Sequence, residues 1–258
     1  MNKFLVLVIG LTLNSWSLYA QSQPQDSMSL KFTPYANLRG HLAVYDKKSQ
    51  LQDNASRIGA TLSLGKNQIT YIAATEGGES FNLDASGPGK FLEVSTTNNT
   101  QTFKNRLGYL GVDFEKYGRI TFGKQWSVYY DITSYTDRFS IFGGRASATF
   151  IGRTDGGENG TGRAAQSMIY RNTFGRFLFG AQALALGSNN SKFIDGYGFS
   201  GQYHVTEEIS IGAAMNKTLL SDNLIKSKQV IGLRGQPSYY ATGIKYQAKN
   251  LILNAVGI

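Results

Sequence analysis

GRITFGKQWSVYYDITSYTDRFSIFGGRASATFIGRTDGGENGTGRAAQSMIYRN, residues 118–172, decides how the rest of the chain is read. Both flanks alternate in the manner of β-structure. The segment 129–163 between them keeps no single period and is too long for an ordinary hairpin loop. It carries Tyr129, Tyr130, Tyr135, Phe139, Phe142 and Phe150, an aromatic content foreign to solvated, disordered segments. The reading is one strand, a long loop that packs against something, and a second strand.

Working outward, residues 1–20 (MNKFLVLVIGLTLNSWSLYA) have a basic start at Lys3, an apolar run from Phe4 to Leu13 and small or polar residues up to Ala20. The run is too short to span a bilayer as a helix and reads as a cleaved export signal, leaving 21–258 as one β-domain. No later segment has about eighteen consecutive apolar residues, which excludes a membrane-spanning helix but not a β-barrel, whose lipid-facing residues alternate with lumen-facing ones. The chain has 0 Cys, 30 Gly, 15 Tyr, 15 Phe and 4 Pro. Without disulfides, stability must come from strand closure or a sizeable core.

The formal net charge is +9, from 26 Lys and Arg against 17 Asp and Glu. Two readings fit: a basic surface that meets anionic lipid headgroups, and an electropositive lumen. No nucleic-acid motif accompanies the charge, so nucleic acid is not an expected partner.

Residues 29–45 alternate over an unusually long run. Leu30, Phe32, Pro34, Ala36, Leu38, Gly40, Leu42 and Val44 fall on one face; Lys31, Thr33, Tyr35, Asn37, Arg39, His41 and Tyr45 fall on the other. Pro34 removes a ladder donor and predicts that the first few residues lie outside regular pairing. About ten alternating residues suffice for a tilted strand to cross a membrane. Further strands are predicted at 56–64, 68–76, 103–114, 119–124, 165–172, 177–186, 197–205, 209–215, 228–235, 239–247 and 251–258. Tight turns after 64, 114, 172 and 205 alternate with long polar connections such as 77–102, the asymmetry of outer-membrane barrels. No strand is wholly apolar, which disfavours a parallel sheet buried on both faces.

These residues resemble the general porins of Gram-negative outer membranes. FGKQWSVYYD, then YTD and FGG, then GR seven residues before YRN, is similar to the porin strand entering the inward-folded constriction loop and the strand leaving it. SRIG at 56–59 is similar to the second porin strand. The resemblance runs weakly over 30–258. It implies an all-β, transmembrane, antiparallel up-and-down β-barrel with an inward-folded constriction loop, about twelve strands being present of an expected sixteen. It also implies a homotrimer in the outer membrane, contact with lipid and lipopolysaccharide, and passive passage of ions and small hydrophilic solutes.

In that family a basic wall faces an acidic loop across the bore. Carried over, the wall is Arg57, Lys124 and Arg163, with a fourth position near Asn37 or Arg39. Alternation puts Arg57 and Arg163 on the polar faces of their strands. It puts Lys124 beside Ile120 and Phe122, and a bulge near Gly123 would be needed to turn it. The loop charges are Asp131, Asp137, Arg145, Asp155 and Glu158. Asp137 matches a family acid, whereas Ile141 and Arg145 stand where acids are expected. Fixed charges of one sign sort solutes by charge, so weak selectivity or a lean toward anions is expected.

Blander readings compete. A polar-face Arg is often solvated or paired with a neighbouring carboxylate, and His41 and His204 lack any local signature of a hydrolase. No metal-ligand spacing occurs and no Gly-rich segment precedes a helix, so neither enzyme nor cofactor is expected. The chain stops within a strand without a terminal aromatic, and a product short of its last few strands is expected. A non-conducting barrel acting as anchor or adhesin would share the strands. A soluble β-sandwich would share the alternation but bury its aromatics.

Overall fold

In the computed structural model, the structure describes residues 28–45, 48–53, 56–79, 104–138, 156–157, 159–187, 193–220 and 235–258. In chain order the strands are β1 (Ser29–Asn37), β2 (Gly40–Tyr45), β3 (Lys48–Asp53), β4 (Ser56–Lys66), β5 (Ile69–Glu79), β6 (Lys104–Asp113), β7 (Arg119–Trp126), β8 (Arg163–Phe174), β9 (Phe177–Leu184), β10 (Gly196–His204), β11 (Ile209–Thr218), β12 (Ser238–Ala248) and β13 (Leu251–Gly257). One α-helical turn, α1 (Tyr130–Thr133), and one 3-10 turn at Glu115–Tyr117 complete the described elements.

Eleven strands form one antiparallel sheet in the order β1-β4-β5-β6-β7-β8-β9-β10-β11-β12-β13, and β2 and β3 pair separately as a hairpin. Apart from the step over that hairpin, each strand pairs with the next in sequence, the up-and-down order. Among the described pairings, β1 and β13 are the edges. Short turns at 67–68, 114–118, 175–176, 205–208 and 249–250 lie at one end of the sheet.

The two faces are inverted relative to a soluble protein. On β6 and β7 the directly paired Leu110 and Phe122 are 65 % and 52 % exposed, while Thr121 is 4 % exposed. Leu30, Phe32, Ile58, Leu62, Met168, Phe199, Ile211 and Ile244 are likewise exposed, whereas Gln125, Ser167, Gln182, Ser200, Ser210 and Asn216 are buried. Period-2 alternation with the apolar set outward and the polar set inward suits a sheet with hydrocarbon outside and water inside. A soluble sandwich would show the reverse. Outward aromatics Tyr170, Phe179, Phe199 and Tyr197 form a run of tilted and stacked contacts across β8–β10, with centroids 6.2–6.5 Å apart.

Two expectations are corrected. Pairing does not begin after Pro34: β1 is in register with β4 from Ser29–Gly65 through Pro34–Ala60 to Asn37–Arg57. Proline is tolerated because β1 has a ladder on one side only. The single long strand 29–45 breaks at Leu38–Arg39 into β1 and β2, and the hairpin strand β3 precedes β4. The strand expected at 228–235 lies almost wholly outside the described residues, and β11 and β12, which would flank it, pair directly from Ile209–Tyr246 to Lys217–Ser238. The segment 1–20 also lies outside the described residues.

Candidate functional site

The segment after β7 lies on the inner, polar face. Ser127 starts it: its amide donates to the Gly162 carbonyl at 2.9 Å, its hydroxyl donates to the Thr161 carbonyl at 2.9 Å, and its oxygen accepts from the Tyr130 amide at 3.0 Å. The outgoing and returning arms of the loop are thereby tied together before α1 begins. Tyr129, Ile132 and Tyr135 then pack on Ala214 of β11 and Ala241 of β12, with Tyr239 and Val256 beside them.

The bed under α1 is made of small residues in cross-strand register. Gly180, Ser200, Ala214 and Ala241 form one row over β9–β12, and Gly212 and Gly243 are paired in the next. A Cβ on Gly212 would strike Ile132 Cδ1, and one on Gly243 would come within 2.9 Å of the Tyr135 ring and 3.1 Å of Ile132 Cγ2. The loop packs closely because the wall beneath it carries almost no side chains.

Polar latches hold it there. The Arg171 guanidinium donates to Asp131 and to the Trp126 and Ser127 carbonyls at 2.9 and 3.1 Å, and Ser200 Oγ donates to Asp131 at 2.8 Å. Tyr135 donates to Gln202 Oε1 at 2.9 Å, Asn254 donates to the Tyr135 carbonyl at 2.7 Å, and the Val128 amide donates to Gln182 Oε1 at 3.2 Å. Burial pushes the Tyr129 phenol up to about 12, with a smaller contribution from Tyr239. Burial also raises the Tyr135 phenol, helped by Asp131. The Asp131 carboxyl is held above the ordinary carboxylate range by burial, against the downward pull of Arg171 and Ser200.

A basic cluster occupies the wall formed by β1, β4, β5 and β6. Arg57 lies within electrostatic reach of Arg39, Arg106, Glu76 and the loop's Tyr130. Arg39 sits in the bend after β1, its amide donating to Ser56 Oγ at 3.0 Å. Arg106 Nε donates to Glu76 Oε1 at 2.8 Å, and the Tyr35 hydroxyl donates to Glu76 Oε2 at 2.6 Å. Tyr35 reaches Glu76 by crossing Gly59, the residue paired with both: a Cβ there would come within 2.6 Å of the phenol oxygen.

Sequence reasoning missed Arg106. By parity it shares the outward face of Leu110, but the β5–β6 register steps from Glu76–Leu107 to Gly77–Asn105, leaving Arg106 as the bulged residue. A bulge re-aims a side chain, and that of Arg106 lies over Gly78, whose missing Cβ leaves the room. The one available signal was cost, because an Arg on the lipid face of a strand is destabilising.

Arg163 stands at the start of β8, paired with Trp126, and its guanidinium lies 5.6 Å from the Trp126 ring centroid. Trp126 stacks on Tyr130 at 3.9 Å, and Tyr130 donates to Asp137 Oδ2 at 2.7 Å. Burial raises the Tyr130 phenol, and the Asp137 hydrogen bond adds to it. Tyr130 is also within electrostatic reach of Arg57 and Arg163, so the loop meets the basic wall through this phenol.

The structure therefore brings together Arg39, Arg57 and, through Tyr130, Arg163 and Asp137. Asp131 is turned to Arg171 and Ser200. Lys124 is paired with Gly108 in continuous register with Phe122–Leu110. A register shift does occur between Gly123 and Gln125, with Gly123 at φ +127°, but it lies on the β8 side of the strand. Arg145, Asp155 and Glu158 lie outside the described residues. His204 Nδ1 is 2.8 Å from Ser210 Oγ, its direct cross-strand partner.

Below the loop a cavity of about 650 Å³ opens toward the short turns, lined by Tyr109, Thr121, Trp126, Asp131, Arg171 and Gln202 among others. Tyr109, Thr121 and Gln202 belong to the inward sets of three strands, so the cavity is part of the concave side of the sheet.

A family model described as Gram-negative porin matches residues 7–256. Outer membrane porin F of Xenorhabdus nematophila is 28% identical over 270 residues, covering 99% of this chain and 68% of that protein. Outer membrane porin protein OmpD of Salmonella typhimurium is 31% identical over 162 residues, covering 58% of this chain and 42% of that protein. Among solved structures, OmpF of Salmonella typhi in complex with daunomycin superposes with a TM-score of 0.63 at 21% identity, covering 90% of this chain and 65% of that one. OmpT of Vibrio cholerae in its trimer form gives 0.53 at 18% identity, covering 90% and 65%. The chain thus spans between 42% and 68% of the length of these curated relatives. With an inverted two-faced sheet, a loop laid on its polar side and a family match over nearly its whole length, the chain belongs to the Gram-negative porin family.

Proposed function

We propose that this chain forms a water-filled path for passive passage of ions and small hydrophilic solutes across the outer membrane, with weak selectivity or a lean toward anions. The observation that carries this reading is the inverted sheet with α1 and its flanks packed on the polar face. A segment so placed narrows the bore without filling it with apolar side chains. The constriction is read as a basic wall of Arg39, Arg57, Lys124 and Arg163, to which Arg106 is added, facing the loop residues Asp131, Asp137, Arg145, Asp155 and Glu158.

Four described guanidiniums, those of Arg39, Arg57, Arg106 and Arg163, stand against the carboxylates of Glu76 and Asp137, and Asp131 is neutralised by Arg171. Fixed charge of this sign favours anions. Passage of this kind needs no catalytic group and no cofactor. Lipid and lipopolysaccharide surround the exposed apolar face, and three copies assemble, as in the trimer form of OmpT of Vibrio cholerae. Residues 1–20 direct export and are removed, leaving 21–258 as the barrel domain.

The test is planar-bilayer recording and liposome swelling with the purified chain. Discrete conductance steps with a reversal potential displaced toward the anion equilibrium are expected. Clear cation preference removes the selectivity reading; folded, membrane-inserted but non-conducting protein supports an anchor or adhesin instead.

A further inference from the structure

The cavity below the loop differs in charge from the basic wall. Six charged side chains line it, Asp113, Glu115 and Asp131 against Lys116, Arg119 and Arg171, so their formal charges cancel. Asp113, Arg119 and Arg171 stand in one cross-strand row. Adjacent guanidiniums repel, and each is answered by its own carboxylate: Arg119 by Asp113 at 2.7 Å and Arg171 by Asp131 at 3.0 Å. A lining without net charge gathers ions of neither sign.

What the lining has to spare is donors. The Nη1 groups of Arg119 and Arg171, the Nε2 amide of Gln202 and the Tyr109 hydroxyl make no hydrogen bond with any described residue. The acceptors beside them are taken: Asp113 by Arg119, Asp131 by Arg171 and Ser200, Gln202 Oε1 by Tyr135, and Gln125 Oε1 by Thr121. A hydroxyl can accept two hydrogen bonds for each one it donates, so a polyol matches that surplus. Tyr109 adds a platform. It is half-buried, is paired across the strands with Gly123 on one side and Ala74 on the other, and makes no ring contact with a described residue, so no bulky neighbour covers its faces. The C–H face of a pyranose is apolar and suits such a ring, whose hydroxyl remains free for a hydrogen bond. The volume of about 650 Å³ lies in the range of small-molecule sites. We propose that this cavity is a subsite for a neutral saccharide, stacked on Tyr109 and hydrogen-bonded by Arg119, Arg171 and Gln202. The subsite deepens the diffusion reading by naming a solute class held on the way, and rests on that reading only for the water that fills this side of the sheet.

The full chain, folded in detergent micelles, is titrated at constant ionic strength with glucose, glucuronate and glucosamine, which share one ring and are neutral, negative and positive. A Trp16→Phe background leaves Trp126, on the cavity wall, as the sole tryptophan, and its emission is read. Glucose is expected to give a saturable change at lower concentration than either charged analogue. Tyr109→Ala is expected to weaken the apparent glucose affinity about tenfold, and Tyr109→Phe, which keeps the ring, by no more than about threefold. Tyr71→Ala, which removes an exposed outward ring on β5, leaves the titration unchanged. Asp113→Asn and Arg119→Gln unbalance the lining in opposite senses and should turn the preference toward glucuronate and toward glucosamine respectively. These two decide the matter should Tyr109→Ala not fold. No saturable change with glucose, tighter binding of a charged analogue by the Trp16→Phe chain, a Tyr109→Ala titration like that of its parent, or charge variants that keep the parent's order overturns the proposal. Saturable glucose binding in micelles without channels in bilayers removes the transport reading alone, and channels without glucose binding remove the subsite alone.

Discussion

The Arg171 guanidinium grips the Asp131 carboxylate with a fork, Nη2 to Oδ1 at 3.0 Å and Nε to Oδ2 at 3.2 Å, and so joins α1 to the inner face of β8. The same Nη2 donates to the Trp126 and Ser127 carbonyls, where β7 gives way to the loop. One side chain therefore fixes both where the loop leaves the wall and where it returns to it.

Removing one partner leaves the other charge unmatched. Arg171→Ala is expected to destabilise the fold by about 1–3 kcal/mol, below the range for a sealed pair because Arg171 is itself over a third exposed. Thermal unfolding in detergent reads the loss, and limited proteolysis beside α1 reads release of the loop. A variant as stable and as protease-resistant as the native chain contradicts the latch.

Acidity acts on the same contact with a definite sign. Because the Asp131 carboxyl is raised in the folded chain, chiefly by burial, its contribution to stability is fully present below its unfolded value of about 3.9 and is lost as pH rises through the folded value. The native chain should gain stability relative to Asp131→Asn as pH falls from neutral into the acid range. A difference that shrinks on acidification runs against this. The comparison cancels the carboxylates common to both proteins.

The bed of small residues makes a packing prediction. Gly243→Val introduces side-chain atoms where Tyr135 and Ile132 already lie and should cost about 1–3 kcal/mol, with α1 lifted from the wall. Ile132→Ala empties the same contact from the other side at about 2–5 kcal/mol. Tryptophan fluorescence reports the shift, since Trp126 stacks on Tyr130 next to α1. Equal stability of both variants and the native chain would mean that the loop does not rest on this bed.

Much of this was legible in the chain itself. Alternation on β4 places Ile58 and Leu62 outward and Arg57 inward, and the aromatic content of the loop anticipates that it packs. The strength of a period-2 pattern is also its weakness: one extra residue reverses every face after it. Bulges at Glu76/Gly77 and Gly123/Gln125 carry no signature beyond neighbouring glycines, so alternation alone hides Arg106 and leaves the face of Lys124 to resemblance. The partnership of Asp131 with Arg171 was hidden for a different reason. The two lie 40 residues apart, and only the register of β8 against the folded loop brings them together.

Selectivity should follow the charges of the wall. Glu76→Gln removes the carboxylate that Arg106 and Tyr35 share and should displace the reversal potential in a salt gradient further toward anions, while Arg57→Glu should displace it toward cations. Reversal potentials that ignore both substitutions separate this cluster from the conducting path.

The central claim is that apolar side chains face hydrocarbon and polar ones face water, and the chain's lack of cysteine makes it open to direct test. Single variants Leu110→Cys, Phe122→Cys and Ile244→Cys on one face, and Ser63→Cys and Gln202→Cys on the other, are spin-labelled in lipid bilayers. Their accessibility to oxygen and to a water-soluble nickel chelate is then compared. The first group should collide with oxygen and be shielded from the chelate, and the second group should show the reverse; the same preference at all five positions, or the opposite assignment, would contradict the account.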